Sequence, residues 1–354
     1  MDSSLVEQTI AAPPVQPAHT QGRRPGQAPC SVDVAATGMT GYVGAATVAR
    51  LLDAGLRVRL LVRNPARLAV HATHARHPSL SVVHAPQADA AALRELFGGA
   101  QVCVHGAALA DPAWVAADPA RAEAANVALT EAVVSAMRES AGPDATMLLL
   151  SSLSVYGGAR SQPCDAHTSP QPNTDYGWQK LAGERMVLDG LPRAHVLRPG
   201  TCVGSLPESA AAYRGDLYFN RVLAEAARQW LGRSAAPWRS RGARQVRPYV
   251  HVADVGRALA ACCQRLVAGQ ALPGPVLNLV SPQGNLDKWT ICRLAAEVLP
   301  GFQAELDDEP DADDPRDCRV INEMASWGLR CEQPAPERWA RELAAFHLAL
   351  EQRR

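Results

Sequence analysis

Tyr176 and Lys180 stand four residues apart in the run Tyr176-Gly177-Trp178-Gln179-Lys180. A free tyrosine, with a pKa of ~10, is a poor acid or base near neutral pH. An ammonium beside it favours the phenolate and brings it towards working range. On a helix, residues four apart share one face. The flanks suit a helix, with Asn173 or Thr174 as its N-cap. The pair is therefore a candidate proton donor with its tuning cation, the alternative being an ordinary exposed pair. Upstream, Ser151-Ser152-Leu153-Ser154-Val155-Tyr156-Gly157 follows the apolar run Met147–Leu150. Hydroxyls at the carboxyl end of a parallel strand face the crevice where α/β sheets bind ligands. One of these serines can hydrogen-bond a substrate carbonyl or hydroxyl; the alternative is a strand-end hydroxyl serving local backbone.

A second group binds rather than reacts. Thr37-Gly38-Met39-Thr40-Gly41-Tyr42-Val43-Gly44 follows the apolar run Val34-Ala35-Ala36 and opens a helical pattern. Glycines three apart at a strand-to-helix turn let backbone approach a pyrophosphate, which then sits on the free N–H groups of the helix N-terminus. The strand before and the helix after supply the context that a bare glycine spacing lacks.

Both groups need a scaffold. Short apolar runs at Ser31–Ala36, Arg57–Val62, Leu80–His84, Val102–His105, Thr146–Leu150 and Ala194–Leu197 predict strands. Amphipathic stretches at Tyr42–Ala54, Ala90–Leu96, Arg121–Ser140 and Asp175–Asp189 predict helices between them, with Gly55 and Gly190 as left-handed C-caps and Asp89 as an N-cap. Such alternation predicts a parallel sheet covered on both faces. From about residue 199 the pattern loosens into short segments, Pro248–Val255, Val276–Val280 and a helix near Trp289–Val298. The expected organisation is a disordered Pro-rich tail over 1–30, a dinucleotide-binding domain over 31–198, and a smaller substrate lobe over 199–354 with segments returning to the first domain.

Composition narrows the class. Thirty-five basic and 35 acidic residues balance in a chain of 354, so charge points to neither nucleic acid nor membrane. No apolar run approaches the ~20 residues of a membrane span. Nine cysteines without a C-x-x-C pair read as reduced thiols in a cytoplasmic protein.

In chain order, the motifs are Thr37-Gly38-x-x-Gly41-x-x-Gly44, His105-Gly106-Ala107-Ala108, Ser151-Ser152-x-x-Val155-Tyr156-Gly157, Tyr176-x-x-x-Lys180, Leu197-Arg198-Pro199 and Arg247-Pro248-Tyr249-Val250-His251-Val252-x-Asp254-Val255. Together they resemble the extended short-chain dehydrogenase/reductase family, the NAD-dependent epimerase/dehydratase group, over about 31–330. The resemblance implies an α/β, Rossmann-type doubly wound sheet, an enzyme and a homodimer through the helices around Arg121–Ser140 and Asp175–Asp189. It makes Tyr176 the acid/base, Lys180 its partner and Ser152 the catalytic hydroxyl, ahead of Ser151 and Ser154, with Tyr156 a packing aromatic. The expected cofactor contacts are Gly38, Thr40, Gly41, Tyr42, Val43, Gly44, Arg63, Ala107, Ala108, Tyr176, Lys180 and Pro199. The expected substrate contacts are Ser152, Ser154, Thr201 and Arg247.

The second strand ends in Arg63-Asn64-Pro65, with Arg67 nearby and no acid to accept from a ribose 2′-OH. An arginine there suits a 2′-phosphate, which favours NADP(H) over NAD(H). Pro86-Gln87 replaces the acidic residue that relatives place by the adenine. Arg247 matches an arginine that binds the phosphates of sugar nucleotides, and Arg228, Arg233, Arg239, Arg241 and Arg244 form a basic stretch nearby. Thr201 stands where an asparagine is frequent, and Leu153-Ser154 replaces the Asp-Glu of the dehydratases, which disfavours dehydration. His71, His74 and His77 lack a carboxylate or thiol partner and read as surface residues rather than metal ligands; Glu305 through Asp314 reads as a solvated loop. Three functions are open: NADPH-dependent reduction of a carbonyl, with a 4-keto nucleotide sugar as a candidate; a nucleotide-sugar 4-epimerase; and a non-catalytic dinucleotide sensor.

Overall fold

A computed structural model describes residues 32–110, 112–158, 160–206, 217–311 and 316–353. The tail expected over 1–30 lies outside them. Strand β1 (Val32–Thr37) leads into helix α1 (Tyr42–Asp53), β2 (Val58–Val62), β3 (Leu80–His84), α2 (Ala90–Phe97) and β4 (Ala100–His105). Helices α3 (Pro112–Ala117), α4 (Pro119–Glu123) and α5 (Leu129–Ser140) precede β5 (Thr146–Leu150), α6 (Asp175–Gly190) and β6 (Ala194–Pro199). The remainder forms β7 (Thr201–Val203), α7 (Tyr218–Trp230), β8 (Trp238–Ser240), β9 (Val246–His251), α8 (Val252–Val267), β10 (Val276–Leu279), β11 (Asn285–Asp287), α9 (Lys288–Val298), β12 (Ala304–Leu306) and α10 (Pro336–Gln352).

Seven parallel strands make the central sheet in the order β10-β6-β5-β4-β1-β2-β3. Successive side chains on a strand point to opposite faces. Val34, Leu60, Val104, Leu148 and Leu197 therefore join one core beneath α1 and α8. Ala35, Leu61, Cys103, Met147 and Val196 join another beneath α2, α5 and α6. Full burial of each large aliphatic side chain contributes ~1.5–3 kcal/mol. These two-faced strands read as unbroken apolar runs, which is why they are legible in the sequence.

Two small sheets lie after β6: β7 and β11 flank β9, and β8 pairs with β12. Helices α7, α9 and α10 share a third core around Phe219, Tyr249, Ile291, Trp339 and Leu343. Helices α7 and α10 were not expected from the loosened pattern. Strand β10 extends the first sheet beside β6, and α8 packs on α1.

Several local expectations meet the structure differently. Gly55 is left-handed, with φ +77°, as a C-cap should be. Gly190 is instead the last helical residue of α6 and has no positive φ. A Cβ there would lie 3.1 Å from Arg138 Nη2 and 3.3 Å from Val134 Cγ1, so its small size admits α5 and the Arg138 hydrogen bonds to its carbonyl. The helix expected over Arg121–Ser140 runs without a break, widening to one looser turn at Ala124–Ala128. Asp89 and Thr174 cap as expected, accepting from Ala92 N at 2.9 Å and Gly177 N at 3.1 Å.

Candidate active site

The sheet order reverses between β1 and β4, and a cleft opens at the carboxyl ends of the strands there. A topological switch point is where open α/β sheets bind ligands. The cleft holds about 1520 Å³. A site for one drug-sized ligand holds ~300–1,000 Å³, so there is room here for a dinucleotide and a second molecule.

Its floor is the turn from β1 to α1. Gly38 has φ +77°, and a Cβ on it would fall 2.3 Å from Ala107 N and from Gly106 C. A Cβ on Gly44 would fall 2.1 Å from Met39 O. Only glycine lets these backbones close so tightly. Gly41 caps α1 without a side-chain hydrogen bond, and the first turn carries no acid. Its backbone N–H groups are thus open to an anion. Gly38, Thr40, Gly41, Val43 and Gly44 all line the cleft. Tyr42 lines it too, but its hydroxyl donates to Gly204 O, so its ring is tied to the backbone after β7.

Ala107 and Ala108 follow β4, and Pro199 and Thr201 straddle the junction of β6 and β7; all four line the cleft. Arg63, Asn64 and Arg67 stand at its edge beyond β2, the two arginines exposed. Among the described residues neither arginine has an acidic partner. The residues present therefore fit a dinucleotide: a glycine cradle for pyrophosphate and unengaged cations at the ribose end.

Across the cleft, α6 presents Tyr176 and Lys180. Lys180 is buried and donates to Leu150 O at 2.6 Å. Burial pushes its ammonium down to about 8, and Glu184 one turn on acts against that. Gly177 explains how the serine loop comes so near. A Cβ there would lie 2.6 Å from Ser154 O, so α6 could not approach that loop with any larger residue. Ser152 accepts from Ser154 N and donates to Ser154 Oγ, each at 3.1 Å. Ser152 and Ser154 both line the cleft. Ser151 points its hydroxyl the other way, onto Glu184. Tyr156 is fully buried, its phenol raised to about 12 by burial against the opposing pull of Arg198, which is packing and not acid–base duty.

Asn126 belongs to this constellation and escaped the sequence reading. It sits in the wide turn between α4 and α5. Its Oδ1 accepts from Leu109 N at 2.7 Å, and its Nδ2 donates to Leu109 O at 3.0 Å and Gln179 Oε1 at 2.8 Å. It fastens the β4 loop to α6 between Tyr176 and Lys180. An asparagine inside an amphipathic helical stretch was the available signal, because it is a weak helix former. Beneath it, Thr130 donates to Asn126 O at 2.8 Å and so accepts from His105 Nε2 at 3.1 Å. His105 Nδ1 then accepts from Thr37 at 2.6 Å. The ring is satisfied as the neutral Nε2–H tautomer, and burial, with the Lys180 charge adding, pushes its pKa down to about 3.

Arg247 on β9 is buried and lines the cleft. The basic stretch, however, does not act as one field. Arg228, Arg233, Arg239, Arg241 and Arg244 pair with Glu225, Glu351, Glu305, Asp307 and Asp287. Those carboxylates come largely from far along the chain and offset the positive charge. The acidic 305–314 segment is correspondingly not a free solvated loop: Glu305 lies in β12, and Asp311 pairs with buried Lys288; residues 312–314 lie outside the described ones. His71 is not a surface residue either. It is buried, and its Nε2 donates to Met39 O at 2.8 Å, beside the glycine turn. No cluster of metal-ligating side chains occurs among the described residues.

The sequence matches the NAD dependent epimerase/dehydratase family over residues 34–278, most of the chain. The chain belongs to that family. It is an enzyme of the extended short-chain dehydrogenase/reductase type that uses a nicotinamide dinucleotide. Solved structures share its fold at low identity. MoeE5 in complex with UDP-glucose and NAD is 22% identical, with TM-score 0.69 over 90% of this chain and 99% of that one. UDP-glucose 4-epimerase from Brucella ovis in complex with NAD is 20% identical, with TM-score 0.70 over 89% and 98%. RMD from Pseudomonas aeruginosa complexed with NADPH is 22% identical, with TM-score 0.66 over 90% and 99%. Among curated proteins, the uncharacterized protein y4nG of Sinorhizobium fredii is 30% identical over 179 residues, 48% of this chain and 40% of that protein. The match thus spans less than half of that relative. No helix among the described residues is long and apolar enough to cross a membrane.

Proposed function

We propose that the protein is an NADPH-dependent reductase of a carbonyl substrate, with a 4-keto nucleotide sugar as the candidate. The observation that carries this reading is the meeting of Ser152, Tyr176 and Lys180 with the glycine turn and the unengaged Arg63 and Arg67 in one cleft. Gly38 to Gly44 would hold the pyrophosphate, and Arg63 with Arg67 a ribose 2′-phosphate. Lys180 and Tyr176 would flank the second ribose, with Ala107, Ala108 and Pro199 against the nicotinamide side. The bound dinucleotide supplies the hydride. Tyr176 gives its phenolic proton to the carbonyl oxygen. Ser152 exchanges its bond to Ser154 for one to the same oxygen. Lys180 favours the resulting phenolate. Arg247 and Thr201 would contact the substrate, Arg247 through an anionic group. A homodimer through α5 and α6 in the cytoplasm completes the reading; Trp178, 53% exposed on α6, supports a covered outer face.

Native mass spectrometry with NADPH, NAD and UDP-sugars tests it, reading bound dinucleotide and subunit count together. Dependence of turnover on added NADPH supports the reductase. Tightly retained dinucleotide with no such dependence assigns a 4-epimerase instead. Tyr176→Phe should lower kcat about a hundredfold or more and leave NADPH affinity within about threefold. Unchanged kcat would remove Tyr176 from the chemistry.

A further inference from the structure

The stretch that follows β2 touches two parts of the cleft. At its start stand Arg63 and Arg67, both exposed on the cleft's edge. Asn64 caps it, accepting from Ala66 N at 3.0 Å. Two short helical turns then run over Pro65–His74 and meet in a kink at His71, where φ is −116° and ψ 26°. At that kink the imidazole is buried, 2% exposed, and its Nε2 meets Met39 O at 2.8 Å. A carbonyl only accepts, so Nε2 carries the proton and donates. Burial lowers the pKa of the ring, with the Met39 bond opposing and His74 adding.

The bond falls on the most crowded peptide of the glycine turn. Met39 is 2% exposed. Its carbonyl oxygen lies 2.1 Å from where a Cβ on Gly44 would stand, and its Cε lies 2.7 Å from where one on Gly106 would stand. The side chain is thus confined beneath the end of β4, and the carbonyl is gripped by α1 on one side and His71 on the other. The reaction described above gives this histidine no task, and a buried polar side chain with one well-made bond to a binding turn suggests one.

We propose that His71 is a positioning residue for the cofactor, pinning the stretch that bears Arg63 and Arg67 to the glycine turn, so that one dinucleotide meets the pyrophosphate cradle and the 2′-phosphate cations at a fixed spacing. This rests on the NADPH reading given above. Two contacts made by one ligand reinforce each other only while the distance between their sites is held, because a loose second site offers a low effective concentration. NADH carries no 2′-phosphate, so it uses the turn alone and gains little from that spacing. Loss of the tie therefore weakens NADPH more than NADH. The donor is what matters: a glutamine at this position brings an amide nitrogen to about the reach of Nε2, whereas asparagine falls a bond short.

The test is binding, without substrate. Kd values for NADPH and NADH are measured by fluorescence titration on variants shown folded by thermal melts. His71→Leu should weaken NADPH about tenfold or more and NADH about threefold or less, so that the preference for NADPH falls at least about threefold. His71→Gln should restore the preference to within about twofold of wild type. If His71→Leu does not fold, His71→Asn replaces it, with the same loss expected and the same rescue by glutamine. An unchanged preference in His71→Leu or His71→Asn, while Arg63→Asp lowers it, overturns this proposal and leaves the 2′-phosphate reading intact. An equal loss in His71→Gln also overturns it, because the hydrogen bond then has no part. An unchanged preference in Arg63→Asp overturns the 2′-phosphate reading itself.

Discussion

Gly44→Ala isolates the claim that the turn after β1 cradles a pyrophosphate. The new Cβ would lie 2.1 Å from Met39 O and 2.3 Å from Met39 C and Cα. Ordinary contact begins at 3.4 Å, so the Met39 peptide must retreat by about 1.3 Å. All three crowding atoms are backbone, and His71 holds the Met39 carbonyl from the other side at 2.8 Å, so rotamer changes cannot relieve it. Hydrogen bonds tolerate a spread of only ~0.5 Å in length. A displacement of this size would break the backbone bonds to a phosphate oxygen. Each bond to a charged acceptor is worth ~1.5–3 kcal/mol, and losing two weakens binding by ~3 kcal/mol or more, at least a hundredfold. Helix propensity acts in the opposite direction, because alanine is ~1 kcal/mol better than glycine inside α1. Binding should therefore collapse while the fold survives. The assay is NADPH fluorescence titration beside a thermal melt. A folded variant that binds NADPH within threefold of wild type would show that the pyrophosphate does not rest on this turn.

Two further outcomes follow from the same geometry. Arg63→Asp should lower the preference for NADPH over NADH about tenfold or more, read as the ratio of the two Kd values; an unchanged ratio removes Arg63 from the 2′-phosphate site. His105 lies far below its unfolded value of 6.5, at about 3 in the fold, so the unfolded chain binds the extra proton and acid favours unfolding across that window. Its contribution is fully present above pH ~6.5 and is diminished by ~2 kcal/mol at pH 5, which urea denaturation should show as a falling midpoint that His105→Gln flattens.

What the sequence revealed followed from locality. The inner strands were legible because both their faces are buried, although β3 at the sheet edge exposes Ser81, Val82 and His84; the Tyr176–Lys180 pair was legible because a helix makes four-residue spacing a contact. Thr174 and Asp89 announced themselves as caps by bonds to residues three away. What stayed hidden depended on distance along the chain. Ser151 and Ser152 are indistinguishable as letters, and only Glu184, 33 residues from Ser151, draws one of them away from the cleft. His71 reads as one of three polar histidines until the fold sets it against Met39, 32 residues earlier. The arginines from Arg228 to Arg244 read as a positive field because most of their carboxylates lie elsewhere, as with Glu305 for Arg239 and Glu351 for Arg233. Gly190 looked like a C-cap because glycine serves both purposes, and only the nearness of Arg138 and Val134 tells them apart.

The return of β10 and α8 to the first sheet has a consequence for how the chain is made. A ribosome releases β6 some 80 residues before β10 and α1 some 210 before α8, at ~5–20 residues per second. Throughout that interval β6 offers an open strand edge and α1 an uncovered apolar face. An unpaired edge and exposed apolar surface are what promote aggregation of unfinished chains. Synthesis stalled near Pro199 should therefore leave a sticky nascent chain rather than a ready cofactor-binding half. A gene split at that point should yield soluble halves only when both are made together.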